Sequence, residues 1–278
     1  METDPDPISA RIIADSTFNG HRLTTVEVRF PRFLVAELNT HRVFSRNSAS
    51  SRAIPVRRRI RDVLACPFVP EAFGSNKAGM QAGEPLGAFR ATFARGAWMA
   101  ALYAAVACAY LLSVAGVHKQ WANRLLEPFA YTTVIISATE WANFFGQRMH
   151  KDAQPEMQQV AWAIFDAMEG SVPRVLQEGD WHLPYIQSDE VTHPTEKLIR
   201  LSVARCARVS YLTHDGRRDH GADMGLYERL LTSGHLSPFE HPAKAGGGGG
   251  NFWGWTQARK GIPREACFLG AIPAPNPS

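Results

Sequence analysis

Residues 22–52 read RLTTVEVRFPRFLVAELNTHRVFSRNSASSR, and two kinds of sequence meet within them. Through Leu38 the run is β-branched and apolar with partial alternation, the pattern of a strand half-buried in a sheet. Pro31 has no amide proton to give a ladder, so it marks a bend or an edge. From Thr40 onward the chain turns to Arg, His, Asn and Ser, too polar for a core. The guanidinium forks of Arg42, Arg46 and Arg52 suit phosphate oxygens, and the hydroxyls of Ser45, Ser48, Ser50 and Ser51 fill remaining acceptors. That is chemistry for a nucleotide or a cofactor pyrophosphate. Composition alone equally allows a serine-rich surface loop.

Outward from that loop, Arg57 to Arg61 read as a solvated helix face. Residues 67–88 hold several Gly and Pro and read as a long loop, a length usually reserved for function or disorder. The chain from Leu86 to Glu169 is helical in character, with helices predicted near 90–117, 118–127 and 131–148, and another after Pro155. Gly170 and Pro173 close that run. GDWHLPYI is an aromatic connection, Glu196 to Val209 is helical again, and a short helix over Gly225 to Ser233 ends at Gly234. The glycine run within 245–250 reads as a mobile loop, and the Pro-rich tail 269–278 as poorly ordered.

With 278 residues, 45% hydrophobic and 20% charged, the chain has the composition of a globular protein with a sizeable core, read as a single domain over 1–278. Cys66, Cys108, Cys206 and Cys267 stand far apart with no CxxC pair, so no metal site is expected. The opening METDPDPISA is acidic and polar, unlike a signal peptide, and a cytoplasmic protein with reduced thiols is expected. Trp98 to Val117 is nearly uncharged and long enough to cross a bilayer, but it is Ala-rich and no second span follows. A helix buried in a bundle or a subunit interface is the preferred reading, with no membrane partner. Aromatics are not interleaved with the basic cluster, which argues against a nucleic-acid partner.

The polar loop resembles the signature of the flavin-dependent thymidylate synthases, Arg-His-Arg followed by Ser, Asn-Glu and Ser-Gly-Arg. His41, Arg42, Ser45, Asn47, Ser50 and Arg52 match it position by position. Asn143-Phe144-Phe145-Gly146-Gln147-Arg148 with Ala153-Gln154-Pro155-Glu156 is similar to the family's Asn-Phe-Leu-x-x-Arg helix and following Ala-Gln-x-Glu. Arg124 sits where the family has an arginine before a Leu-Pro turn. Ala207-Arg208-Val209-Ser210 and Gly234-His235-Leu236-Ser237-Pro238-Phe239-Glu240-His241 resemble Ala-Arg-Val-Ser and Gly-His-x-Thr-Pro-Phe-Glu-His. In common members these last two blocks precede the signature, and here they follow it. A circular permutation or an equivalent rearrangement is inferred, which requires His235 to lie near the signature loop.

The resemblance implies an α/β (α+β) fold, a mostly antiparallel sheet packed against a helical bundle, and a homotetramer with shared active sites. It implies transfer of a methylene group from methylenetetrahydrofolate to C5 of a uridine monophosphate nucleotide, with FAD recharged by NADPH. Arg148 then matches the arginine that favours ionised N3 of the uracil, since a fixed cation lowers the pKa of an acidic ring nitrogen. Arg148 and Ser50 are the catalytic candidates. Glu37, Asn39, Ser48, Ala49, Ser50, Ser51, Arg52, Arg124 and Arg148 are implied to bind nucleotide, the phosphate falling to Arg52 and Arg124. Thr40, His41, Arg42, Ser48, Asn143, His235, Ser237 and Glu240 are implied to contact flavin.

Three positions depart from the family pattern. Thr40 replaces the first signature arginine, Ser48 its glutamate, and Glu37 the glutamine that precedes it. Glu37 is a candidate acceptor for a ribose 2′-hydroxyl, and UMP and dUMP both remain open as substrates. Asn251 to Lys260 is a candidate for restoring a missing Gln or Arg. The alternative function is a non-catalytic nucleotide- or nucleic-acid-binding protein built on the same basic loop.

Overall fold

A computed structural model describes residues 7–209 and 219–262. Ser210 of the Ala-Arg-Val-Ser block and the tail 269–278 lie outside the described residues. Strands β1 (Ser9–Phe18) and β2 (His21–Pro31) form an antiparallel hairpin. Its two-residue turn is Asn19-Gly20, both with positive φ (46° and 80°), the backbone that matches the right-handed twist of the flanking strands. After a 3-10 turn over Arg32–Leu34 and the single-turn helix α1 (Val35–Leu38), the chain runs through the polar loop into β3 (Ser45–Ser48). Helices α2 (Val56–Ala65), α3 (Ala88–Val114) and the one-turn α4 (Lys119–Ala122) follow. Strand β4 (Tyr131–Ala138) then inserts antiparallel between β2 and β3. With the short β5 (Arg174–Val175) parallel to β1, the sheet order is β3-β4-β2-β1-β5.

Helices α5 (Ala142–Arg148) and α6 (Pro155–Glu169) cover one face of this sheet. Phe144, Met157, Val160 and Ile164 meet Val26, Val28, Phe30, Val134 and Ile136 in the main core. A second, three-stranded sheet joins β6 (Trp181–His182), β7 (Ala243–Ala245) and β8 (Trp255–Gln257) in the order β6-β7-β8. Helices α7 (Thr195–Arg208) and α8 (His220–Thr232) pack together as a separate pair. The fold is α+β with a largely antiparallel sheet against helices, as the resemblance implied.

Three local expectations differ. The predicted strand 22–38 ends at Pro31, and the predicted helix 118–127 is one turn followed by a 3-10 run over Asn123–Phe129 that contains Pro128. Most important, the predicted helix 131–148 is a strand through Ala138. The β-branched run Thr132-Thr133-Val134-Ile135-Ile136 occupies the middle of the sheet, where such side chains pack best. The glycine run opens the nine-residue connection from β7 to β8 (246–254); Gly250 has φ of 105°, and a Cβ there would sit 1.8 Å from Gln257 Oε1.

Helix α3 is long and apolar enough to span a membrane by length and composition, and 11% of that apolar window is buried within the chain. Leu102 and Ala109 seat it against Val63, Leu126 and Phe129. Phe89, Phe93, Tyr103, Tyr110, Leu111 and Val114 face outward. The predicted burial therefore holds for one stripe inside this chain, and the rest of the helix is bare.

A polar line crosses the core where the two sheets meet. Ser16 Oγ, His182, Thr25 Oγ1, Ser137 Oγ and His241 Nδ1 are joined in sequence by hydrogen bonds of 2.9, 2.8, 2.6 and 2.8 Å. His241 Nε2 is buried without a partner. Burial lowers both imidazoles from 6.5 to about 3, with the charge of His182 adding to the effect on His241. Between those values the unfolded chain binds protons that the folded chain refuses. Stability is therefore fully present above pH 6.5 and is lost as pH falls toward 3. Urea unfolding at pH 5 is expected to show a loss of about 2 kcal/mol for each histidine relative to pH 7.5. A pH-independent urea midpoint would contradict the assignment.

Candidate active site

The hairpin strand β2 hands the chain to α1 and then to the signature loop, and β4 pins that loop from one side through β3. Ala49 N–H continues the ladder to Thr133 O at 2.9 Å. From the other side, the 3-10 turn Ser237–Glu240 sits against β3. Gln257 secures the contact. Its Nε2 donates to Ser45 Oγ and to the Glu240 carbonyl, both at 2.9 Å, and Arg259 forms an ion pair with Glu240. Asn251 Nδ2 reaches the Arg42 carbonyl at 3.5 Å. The segment 251–260 thus braces the signature loop.

Between these elements lies an open cavity of about 540 Å³, lined by Arg46, Asn47, Ser48, Ser50, Arg52, Ala53, His235 and Ser237. Residues more than 180 positions apart share it, which is the proximity that the rearranged motif order demanded. Arg52 is exposed, and its backbone N–H donates to Ser50 Oγ at 3.3 Å. Arg46 ties the cavity to the preceding turn by donating to the carbonyls of His41 (2.8 Å) and Leu38 (3.2 Å).

Beside it stands a second cluster centred on Arg148, the last residue of α5. Its guanidinium donates to Glu37 Oε1, to His41 Nε2 at 2.9 Å and to Thr40 Oγ1 at 3.1 Å. All three partners lie on α1 and the turn after it. The His41 ring stacks on Phe44 and meets Phe144 edge-on. Burial, then the charges of Arg148 and Arg46, holds His41 below its ordinary pKa, so it is the neutral acceptor this geometry needs. Arg148 forms an ion pair with Glu37.

The other candidates are scattered. Asn39, Arg42 and Asn143 are exposed near the Arg148 cluster in sequence, with no place on the cavity lining. Ser51 turns away and donates to Glu127 Oε1 at 2.6 Å. Arg124 is exposed and 3.6 Å from the same carboxylate. Burial pushes the Glu127 carboxyl up, but the Ser51 hydrogen bond and the Arg32 charge hold it low overall. Ala49 lines a different cavity behind the loop. From sequence, Arg46 is assigned only to phosphate and Gln257 only as part of the 251–260 segment, and neither is expected to hold the loop together. Arg46 stood in the signature at a position where the family pattern is not specific, and Gln257 lies 212 residues from the Ser45 that it holds.

A family model described as thymidylate synthase complementing protein matches residues 14–174, more than half of the chain. No curated protein sequence matches it. Among solved structures, the chain is similar to the UMP/dUMP methylase PolB from Streptomyces cacaoi bound with 5-Br UMP. The TM-score is 0.50 at 19% identity, over 58% of this chain and 88% of that one. The same enzyme bound with 5-Br dUMP matches at TM-score 0.44 and 23% identity, over 53% and 67%. With the signature loop, the Arg148 helix and strands β2, β3 and β4 all inside the matched residues, the chain belongs to the thymidylate synthase complementing proteins, the flavin-dependent thymidylate synthase family of methyltransferase-type enzymes.

Proposed function

We propose that the chain catalyses reductive C5-methylation of a uridine monophosphate nucleotide, dUMP or UMP, using methylenetetrahydrofolate, FAD and NADPH. The observation that carries this reading is the cavity in which Arg46, Ser48, Ser50 and Arg52 face His235 and Ser237. Two motif blocks far apart in sequence converge there on one set of anion-binding groups. The donor set fits a nucleotide phosphate and a flavin pyrophosphate, both anions that accept from guanidinium and hydroxyl groups. Reduced FAD, when bound, supplies the hydride that completes the methyl group.

The chain's own residues bind and polarise. Arg52 and Ser50 hold the nucleotide phosphate, and the exposed Arg124 adds charge from its 3-10 run. Arg148 stands ready to favour the ionised N3 of the ring, which raises electron density at C5. For that it must exchange its pairing with Glu37 for the nucleotide. Glu37, so released, accepts a hydrogen bond from a ribose hydroxyl. His41, Arg42, Thr40, Asn143 and Glu240 are assigned to the flavin side with His235, Ser237 and Ser48. A homotetramer with shared sites accords with the bare apolar face of α3.

The test is spectroscopic. Purified protein is expected to bind FAD. Its reduced flavin, held anaerobically with methylenetetrahydrofolate, is expected to reoxidise only when dUMP or UMP is added, the faster nucleotide naming the substrate. Failure to take up FAD, with nucleotide affinity intact, would replace this reading by that of a nucleotide-binding relic. Glu37→Gln is expected to shift the UMP to dUMP preference about tenfold toward dUMP, the scale of one hydrogen bond to a substrate hydroxyl. Equal preference before and after removes Glu37 from sugar recognition.

A further inference from the structure

Behind the signature loop, a separate cavity of about 310 Å³ opens between α2 and the start of β4, lined in part by Arg29, Arg58, Arg59, Thr132 and Thr133. It shares no lining residue with the cavity that holds Arg52. Successive residues of the loop divide between them: Ser48 and Ser50 face one, Ala49 the other.

Arg59 is the unusual group. It is 5% exposed, and its NH1 donates one long hydrogen bond, 3.3 Å, to the Tyr131 carbonyl. It forms no ion pair among the described residues. A guanidinium carries five N–H donors in a fixed fork, and the single long bond leaves most of them open to the cavity that Arg59 lines. Its surroundings add more positive charge. Burial, then the charge of Arg32 and more weakly that of Arg58, acts against its charged form, while Asp62, which also lines the cavity, and Glu127 favour it. Arg29 lies over the Tyr131 ring at 4.6 Å from its centroid, with NH1 spent on the Pro7 carbonyl. Thr132 already accepts from Arg32, at 3.2 Å, while the Thr133 hydroxyl on the lining is a neutral donor.

A largely buried fork with one long hydrogen bond, two further arginines at the walls and a hydroxyl beside them outnumber the single Asp62 carboxylate on the lining, and together they form half of an anion site. We propose that this cavity binds a phosphoryl group, either free phosphate or the phosphate end of a small metabolite, with Arg59 at its floor and Arg58 at its mouth. A tetrahedral dianion accepts from several donors at once and so satisfies the fork as a single carbonyl cannot. The site is distinct from the proposed nucleotide site, and its existence does not depend on what the enzyme methylates.

Calorimetric titration of the whole protein with orthophosphate, and separately with ribose 5-phosphate, tests the assignment. A saturable component is expected that survives in Arg52→Ala and weakens about tenfold or more in Arg59→Met, the scale of a charge-assisted hydrogen bond. Arg58→Ala, whose side chain is exposed, keeps the test alive if Arg59→Met does not fold, and it too is expected to weaken binding several-fold. Tighter binding of ribose 5-phosphate than of orthophosphate identifies the ligand as a phosphorylated metabolite, and the reverse order identifies free phosphate. Absence of saturable binding in the unmodified protein, or affinity unchanged in both arginine variants, overturns the proposal.

Discussion

Arg148→Met is expected to lower the methylation rate by about 10²–10³-fold, the cost of removing one preorganised electrostatic group from a developing charge. It should do so with little change in nucleotide affinity from the phosphate side, because Arg46, Arg52 and Ser50 remain in their cavity. The substitution also strands partners. Glu37 loses its counter-charge, and His41 Nε2 loses its donor in a site enclosed by Phe44 and Phe144. Arg148→Lys separates the two effects. A lysine restores a positive charge but not the three-way fork that reaches Glu37, His41 and Thr40 together. Single-turnover reoxidation of reduced flavin reads the rate. A loss of only a few-fold in both variants would show that Arg148 is a structural clamp and not the group that polarises the pyrimidine.

The second large effect lies in the α7–α8 pair. Arg205 is 7% exposed and bridges Glu190 and Asp223, which are 3% and 1% exposed. Its NH1 and NH2 each donate to Glu190 at 2.6 Å, and its Nε donates to Asp223 at 3.1 Å. Arg208 takes the other Asp223 oxygen at 2.6 Å, and His220 adds a contact to Glu190. Hydrogen bonding from Arg205 holds the Glu190 carboxyl far below the usual carboxylate range. Arg205→Met leaves two buried carboxylates short of a partner and is expected to cost about 3–5 kcal/mol. For a chain of this size that is a fall on the order of 10 °C in Tm. Arg200→Met removes the solvent-facing pairs to Glu196 and Glu228 and is expected to cost about 1 kcal/mol or less. The turn at Gly234 and the 3-10 segment after it descend from α8, so His235 and Ser237 depend on this network for their positions. Flavin and nucleotide affinity should therefore fall with stability in Arg205→Met and not in Arg200→Met. Equal melting temperatures for the two variants would contradict this account.

Motif spacing was more legible than local structure. The loop 40–52, the Arg148 helix and the His235 block were each readable because their residue types are chemically constrained. Their convergence was implied by the resemblance. Secondary structure failed where pattern is least informative. Tyr131 to Ala138 reads as apolar and uninterrupted, and a short apolar run cannot be told from a helix by periodicity alone. Its β-branched content was the available signal. Ser9–Phe18 passed unread because its alternation is weak, most of its residues being only partly buried. The buried Arg59 was invisible among Arg57, Arg58 and Arg61, which are exposed. One arginine of four turning inward is decided by the position of β4, not by the helix itself. The pairing of Arg148 with Glu37 was not anticipated either, although both residues had been singled out, since each was weighed against a nucleotide and not against the other.

The hydrogen bond from Gln257 to Ser45 joins residues 212 apart in sequence. The signature loop therefore stays without its brace until nearly all of the described chain has left the ribosome, and the hairpin, β4 and the α5–α6 core can assemble well before then. Non-local closures of this kind are slow, because chain entropy is lost before any contact rewards it. Among the described residues, the cavity at the signature loop is therefore late to mature, after the hairpin and the α5–α6 core that support it.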